Sequence, residues 1–401
     1  MEYSLEKNIL KYYFYRIFTK RVFLPLIVIF LIDIGEASLE QIALIASITA
    51  IVQFVMEIPS GYIADRWGHK QSIAFGSFIS AVSVLPYIFF PGFLGGLIAS
   101  CLFFGGYAFV SGTIQAFIHE TLLSLERDHE YSVIMGRAQS FGLLGNIILV
   151  SLVPLTYVIH PKLPFILGFL CLFIAFLIVL SFKSPPKRLP IKEEGYRKGT
   201  LEKLRQIASK VPIARFSIVF LLFGIVSSGF DHAVMFREAI FRDAGIPVFW
   251  FGFFLAFGSL LAAIGGFYIH HLKKLSPSFF YLFDTAYLVV ACLLVSITRS
   301  PLLLVGIFAL FPAYDRTRNI IFESQVFEEF PYSKYKATIV SLMNFVALLN
   351  SIWVPILLGS LVGKFGFQDG YMQFSILIGT LLAVILIVQK ILQSKTPPVF
   401  R

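Results

Sequence analysis

Long apolar stretches recur from end to end of this chain, separated by short clusters of charge, glycine and proline. A helix that crosses a hydrocarbon core needs roughly 20 mostly apolar residues at ~1.5 Å each. Reading the runs between the polar breaks predicts twelve such helices, at about 9–33, 39–60, 71–90, 93–118, 133–158, 163–182, 213–236, 246–269, 277–298, 301–323, 336–362 and 370–393. Closed β-barrels also satisfy their backbone in lipid, but their strands show alternation over ~10 residues. The run "LPFILGFLCLFIAFLIVL", starting at Leu163, is continuous instead. The pattern predicts an all-α integral membrane protein.

One long polar segment, Lys183 to Lys210, interrupts the series and divides it six and six. The chain thus reads as an N-terminal half (1–182), a linker (183–212) and a C-terminal half (213–401). Pro185, Pro186 and Pro190 make the first part of the linker extended. Leu201, Leu204, Ile207, Ala208 and Val211 then repeat at helical spacing opposite Lys and Arg, which fits a short amphipathic helix on a lipid surface or a solvated connector. The halves echo each other. Gly61-Tyr62-Ile63-Ala64-Asp65-Arg66 lines up with Gly266-Phe267-Tyr268-Ile269-His270-His271, and the Glu120–Asn146 region with Glu323–Asn350. The matching order in both halves favours duplication over chance.

Composition agrees with the pattern. The 401 residues are 57% hydrophobic and 14% charged, with mean hydropathy +0.82, far outside the range of soluble domains. The basic residues before the first run (Lys7, Lys11, Arg16, Lys20, Arg21) imitate a signal peptide, but no small-residue cleavage site follows, so this run is read as an uncleaved first helix. Cys101, Cys171 and Cys292 fall in three different spans, where thiols act as small apolar residues; nothing in their spacing predicts a disulfide or a metal site. Of 33 Lys and Arg, only Lys162, Arg237, Arg242, Arg299 and Lys364 fall on the side opposite both termini. This bias puts both termini and residues 61–70 in the cytoplasm. The net charge of +10 is therefore a topology signal, with no folded soluble domain to support nucleic-acid binding.

Between the second and third runs lies Gly61-Tyr62-Ile63-Ala64-Asp65-Arg66-Trp67-Gly68-His69-Lys70. Gly61 and Gly68 allow close approach and a tight turn, Pro59 fits a helix that ends or bends, and Asp65, Arg66 and Lys70 can cap helices or bridge to opposite charges. The spacing G-x-x-x-D-R-x-G-x-K resembles the signature loop of the major facilitator superfamily of secondary transporters, with His69 replacing the usual basic residue. The resemblance covers essentially the whole chain. It implies two parallel six-helix repeats and alternating access to a central site for a small-molecule solute, with a proton as a candidate coupling ion. It also implies a monomer in the bacterial inner membrane, with no cofactor, and a signature loop that latches the halves on the cytoplasmic side. The fourth-helix Arg and fifth-helix Gly-Pro motif of proton-driven drug exporters are missing. "FVSGTIQAFIHETL" (Phe109–Leu122) instead resembles a poorly characterised bacterial branch, with Glu120 at its acidic position.

Ionisable groups at membrane depth are costly and normally face a partner or a watery cavity. In the superfamily, helices 1, 4, 7 and 10 line the cavity. Those spans here carry Arg16; Gln115, His119 and Glu120; Asp231 and His232; and Tyr314, Asp315, Arg316, Arg318 and Asn319. Arg16, Glu120, Arg316 and Arg318 fall in the inner half, where they can form a gate of ion pairs or static bridges at helix ends. Glu57 belongs to the same layer. Asp231 and His232 lie beyond the middle; they can carry a coupling proton or form an acid–imidazole pair at a wet helix end. Ser227, Ser228 and Gly229 before them permit unwinding or close packing. Arg16, Arg316 and Arg318 favour an anionic or zwitterionic solute. Asp284, in the ninth span, lacks an evident partner.

Rival functions are weaker. A lipid-modifying enzyme needs a clustered reactive set, and His270-His271 and His119-Glu120 have neither zinc spacing nor a nucleophile motif. An ATP-driven pump needs a Walker loop, and none is present. A non-transporting scaffold or receptor has no use for both the signature loop and the cavity charges.

Overall fold

The computed structural model describes residues 2–186, 213–267, 276–329 and 336–395. Helix falls in all twelve predicted positions, and no strand occurs among the described residues. The candidate amphipathic helix of the linker and the echo beyond Phe267, including His270 and His271, lie outside them.

Several spans are interrupted. The first is a helix Glu2–Phe18, an irregular stretch, a 3-10 turn Leu24–Leu26 and a second helix Ile27–Asp33. Pro25 has no amide hydrogen to continue the helical ladder, so the chain breaks around it. The fourth span is likewise split, into Phe93–Val110 and Thr113–Ser124, at Gly112, whose φ of +74° favours glycine. It therefore runs past the predicted boundary at 118. The seventh span stays a continuous helix, Ile213–Ala233, so Ser227, Ser228 and Gly229 serve close packing rather than unwinding.

The second span begins with a capping box. Ser38 Oγ accepts from the Gln41 amide at 3.2 Å, and the Ser38 amide donates to Gln41 Oε1 at 2.9 Å. It does not end at Pro59 but continues to Trp67, so most of the signature loop is helix. Gly68 alone, at φ +95°, separates it from the third span's His69–Val82.

Within residues 1–182, the third span packs on the fourth and sixth, and the first on the fifth and sixth. In the C-terminal half the seventh packs on the long helical run Lys336–Lys395, and the eighth on the tenth. Spans 2 with 11 and 5 with 8 pack across from one half to the other. These crossings are tight on the side away from Gly68. Gly359 sits against Ala43 and Leu39, where any side chain would obstruct the approach of the two helices. Arg242 pairs with Asp33, and the turn Val153–Val158 packs on Val248–Trp250. Arg299 meets Gln368 at 3.0 Å. On the Gly68 side, Asn8 holds the backbone of Lys183, and Arg127 joins Glu6 at 2.9 Å and Glu130 at 2.6 Å. That hydrogen-bonded guanidinium holds the Glu130 carboxyl below the usual carboxylate range.

Candidate functional site: a central cavity

A cavity of ≈ 720 Å³ lies between the halves. The first span contributes Arg21, the second Thr49, Gln53 and Glu57, the fourth Tyr107, the seventh Asp231 and His232, and the eleventh Ser351. The space reaches toward the Gly68 side as far as Glu57, which is exposed, and toward the opposite side as far as Leu31 and Ile42, near the crossings described above. Two smaller spaces adjoin it. One of ≈ 290 Å³ shares Arg21 and Tyr107 and adds Lys20 and Asn146; another of ≈ 100 Å³ shares Tyr107 and is lined by Arg16, Lys20 and Gln115. Tyr107 belongs to all three and is 47% exposed although it sits within a membrane span.

The two helix breaks open onto these spaces. Thr19, Lys20 and Arg21 come from the irregular stretch of the first span, and Ser111 from the kink of the fourth. Backbone without helical hydrogen bonds is tolerated at membrane depth where it lines a watery space. The breaks therefore mark the site as surely as the charges do.

On the C-terminal wall, His232 Nδ1 lies 2.8 Å from the Ser228 carbonyl. A carbonyl only accepts, so this nitrogen carries the proton and donates. Ser228 Oγ also meets Ser351 at 3.3 Å, tying the seventh span to the eleventh. Asp231 is exposed to the cavity and has no hydrogen bond or ion pair among the described residues.

Behind that wall sits a closed polar cluster. Arg318 is 0% exposed; its Nε donates to Asp284 Oδ1 at 2.6 Å and its Nη2 to Oδ2 at 2.7 Å, while Nη1 reaches Ser227 Oγ at 2.8 Å. Asp315 lies 3.7 Å from the same guanidinium, and Tyr314 donates to Asp284 at 3.1 Å while stacking on Tyr287. Asp284 thereby acquires the partner that could not be seen in the sequence.

Of the ten candidates from the sequence, Asp231 and His232 line the large cavity and Arg16 and Gln115 the small one. The structure corrects the placement of the others. Arg318 and Tyr314 face the closed cluster, because a bidentate carboxylate behind the tenth span satisfies the one and accepts from the other. Asp315 belongs to the same cluster, and Arg316 is exposed beside it. His119 stacks edge-on against Tyr131, and Glu120 bonds His69 at 3.0 Å; both lie at the inner end of the fourth span, outside the three spaces. Arg16 bonds Gln139 rather than a carboxylate, so the inner charges do not form one gate network here.

The signature segment divides similarly. Gly68 needs its glycine for the positive φ, whereas a side chain at Gly61 would meet nothing within 4 Å. Arg66 stacks over Tyr62 at 4.6 Å. Asp65 is exposed and has no partner among the described residues; Glu120, near which a latch partner was sought, is taken by His69. Lys70 stands in the first turn of the third span.

Arg21 and Lys20 were legible only as topology signals. Their real position could have been found from Pro25, which breaks the first span and places the basic residues before it at membrane depth.

The sequence matches the Major Facilitator Superfamily over residues 12–314. The uncharacterized MFS-type transporter YxaM of Bacillus subtilis (strain 168) is 37% identical over 70 residues, which span 18% of this chain and 16% of that relative. Among solved structures, the nucleoside transporter NupG superimposes with a TM-score of 0.76 at 14% identity, over 96% of this chain and 98% of its own. A bacterial homologue of the human lysosomal transporter Spinster, in an inward-facing and unoccupied conformation, superimposes with a TM-score of 0.67 at 13% identity over 96% and 95%.

Proposed function

This chain belongs to the Major Facilitator Superfamily and is a multi-pass secondary transporter; we propose that it carries a small solute by rocking residues 1–182 against 213–401 about the central cavity, with Asp231 as the coupling proton site. One observation carries the reading. The cavity extends toward the exposed Glu57 on the Gly68 side, the Asp33–Arg242 pair and the Gly359–Ala43 approach join the halves on the other, and an unpaired carboxylate stands in its wall. Rupture of the Asp33–Arg242 pair and of the Gly359–Ala43 approach would open the joined side, while residues 61–70 close the other. The charge bias supports a cytoplasmic location for that segment and both termini, in a bacterial inner membrane.

A carboxylate that is neutral when protonated can let the loaded protein reorient at less electrostatic cost than a charged one. In this reading Asp231 takes up a proton while facing one side and releases it to the other. His232, with its Nδ1 proton fixed by Ser228, holds the neighbouring turn in one orientation. The test is flux in proteoliposomes. Asp231→Asn is expected to remove acceleration by a pH gradient while solute exchange persists, and Asp65→Asn to stop both. Full pH-driven flux with Asp231→Asn would sink the coupling assignment. The likeness to NupG makes nucleosides one arm of the solute screen.

A further inference from the structure

Three cations without a carboxylate partner among the described residues line the large cavity and the two spaces that adjoin it: Arg21 the large cavity and the ≈ 290 Å³ space, Lys20 both smaller spaces, and Arg16 the smallest. Arg16, Lys20 and Arg21 follow one another along the last turn and the break of the first span. No carboxylate lines either of the two smaller spaces around them. The charged groups that act on Lys20 are Arg16 and Arg316, both positive. Arg21 lies against the rings of Phe103 at 4.3 Å and Phe104 at 4.9 Å, which offer its guanidinium π-faces but no hydrogen-bond acceptor. Among the described residues that guanidinium has no hydrogen bond or ion pair. Arg16 reaches only the neutral Gln139, and its Nε is buried without a partner. Both the electrostatics and the unmet donors call for an oxyanion.

We propose that Arg16, Lys20 and Arg21, beside Tyr107, form the receiving site for the acidic group of the transported solute, which is an organic anion bearing a carboxylate or a phosphate. The site rests on the transporter reading given above and adds the class of cargo to it. Arg21 presents two parallel N–H donors, Lys20 adds a mobile charge, and Tyr107 offers a ring and a hydroxyl at the junction of all three spaces. Asp231 and His232 on the facing wall read the rest of the molecule. With the cations on the first span and none on that facing pair, the solute lies with its acid toward the first span. The glutamate at the mouth, Glu57, is exposed and does not neutralise the cluster.

The test uses the full chain in lipid nanodiscs and probes that differ only in charge. Glucuronate, glucose and glucosamine form one arm for carboxylates; uridine monophosphate and uridine form another for phosphates; inorganic phosphate and acetate against chloride at equal ionic strength serve as minimal probes. Thermal stabilisation is expected from acidic members only, with the stronger arm naming the acid. Arg21→Gln and Lys20→Gln should weaken it at least tenfold, and Arg21→Lys should restore part of it. Each variant must first melt as the native protein does in chloride; one that does not is replaced by protection of Lys20 from an amine reagent in the native chain, where acids should protect. Stabilisation by neutral or cationic members only, by none of the probes, or equally in the variants overturns the site. Flux of neutral solutes that is unimpaired by Arg21→Gln would remove the anion site and leave the transporter reading. Oxyanion binding with no flux of any solute would do the reverse.

Discussion

Arg318 in the tenth span and Arg21 in the first are both guanidiniums within membrane-spanning segments, and their surroundings differ in kind. Arg318 is sealed from solvent, held by both oxygens of Asp284, by Ser227 and by Asn319, with Asp315 close by. Arg21 stands at a helix break on the cavity wall, with two aromatic rings against it and no ion pair among the described residues. A buried charge with a partner at each of its nitrogens belongs to the architecture, since its partners already offset the cost of dehydration. One left open onto a cavity has a donor set available to a visitor. The sequence invited the opposite assignment, with Arg318 offered to the solute and Arg21 to topology.

The sharpest way to break this contrast is Arg318→Met, which leaves Asp284 buried and unpaired. The expected loss is about 3–5 kcal/mol, read as a lower unfolding temperature in detergent, and Asp284→Leu with Arg318→Met together should recover most of it. A silent single variant would mean that the cluster is not structural. Ser227→Ala removes one hydrogen bond to the guanidinium and should cost roughly 1.5–3 kcal/mol by the same measurement. Arg242→Ala, at an exposed pair, should cost no more than about 1 kcal/mol. It should nonetheless raise the cross-linking yield of cysteine pairs that meet only when the Gly68 side closes. Smallest of all is Arg21→Gln, expected to shift stability by less than about 1 kcal/mol or to raise it, because no partner is orphaned. A large destabilisation there would place Arg21 with Arg318 as a structural charge.

Helix number was legible because it depends on local composition and on length. Gly68 was readable too, since a pivot between adjacent helices needs a residue that tolerates positive φ. The continuation of the second span through Pro59 to Trp67 was not, because neighbouring spans hold a helix that local propensity would end. The Asp284–Arg318 pair joins positions in consecutive spans, and nothing in their spacing says that the two side chains face inward together. Gly61 and Gly68 look equivalent in the motif, yet only one of them is demanded by the backbone in this conformation.

What the sequence by itself determined is the solvent of this protein, the number of its spans and the superfamily to which they belong, because apolar run length and charge bias act locally along the chain. Tertiary structure alone decided which charges are satisfied and which are left open to the cavity. That distinction depends on which side chains from separate spans meet in space, and a one-residue rotation about a helix axis changes it without altering the hydrophobic pattern.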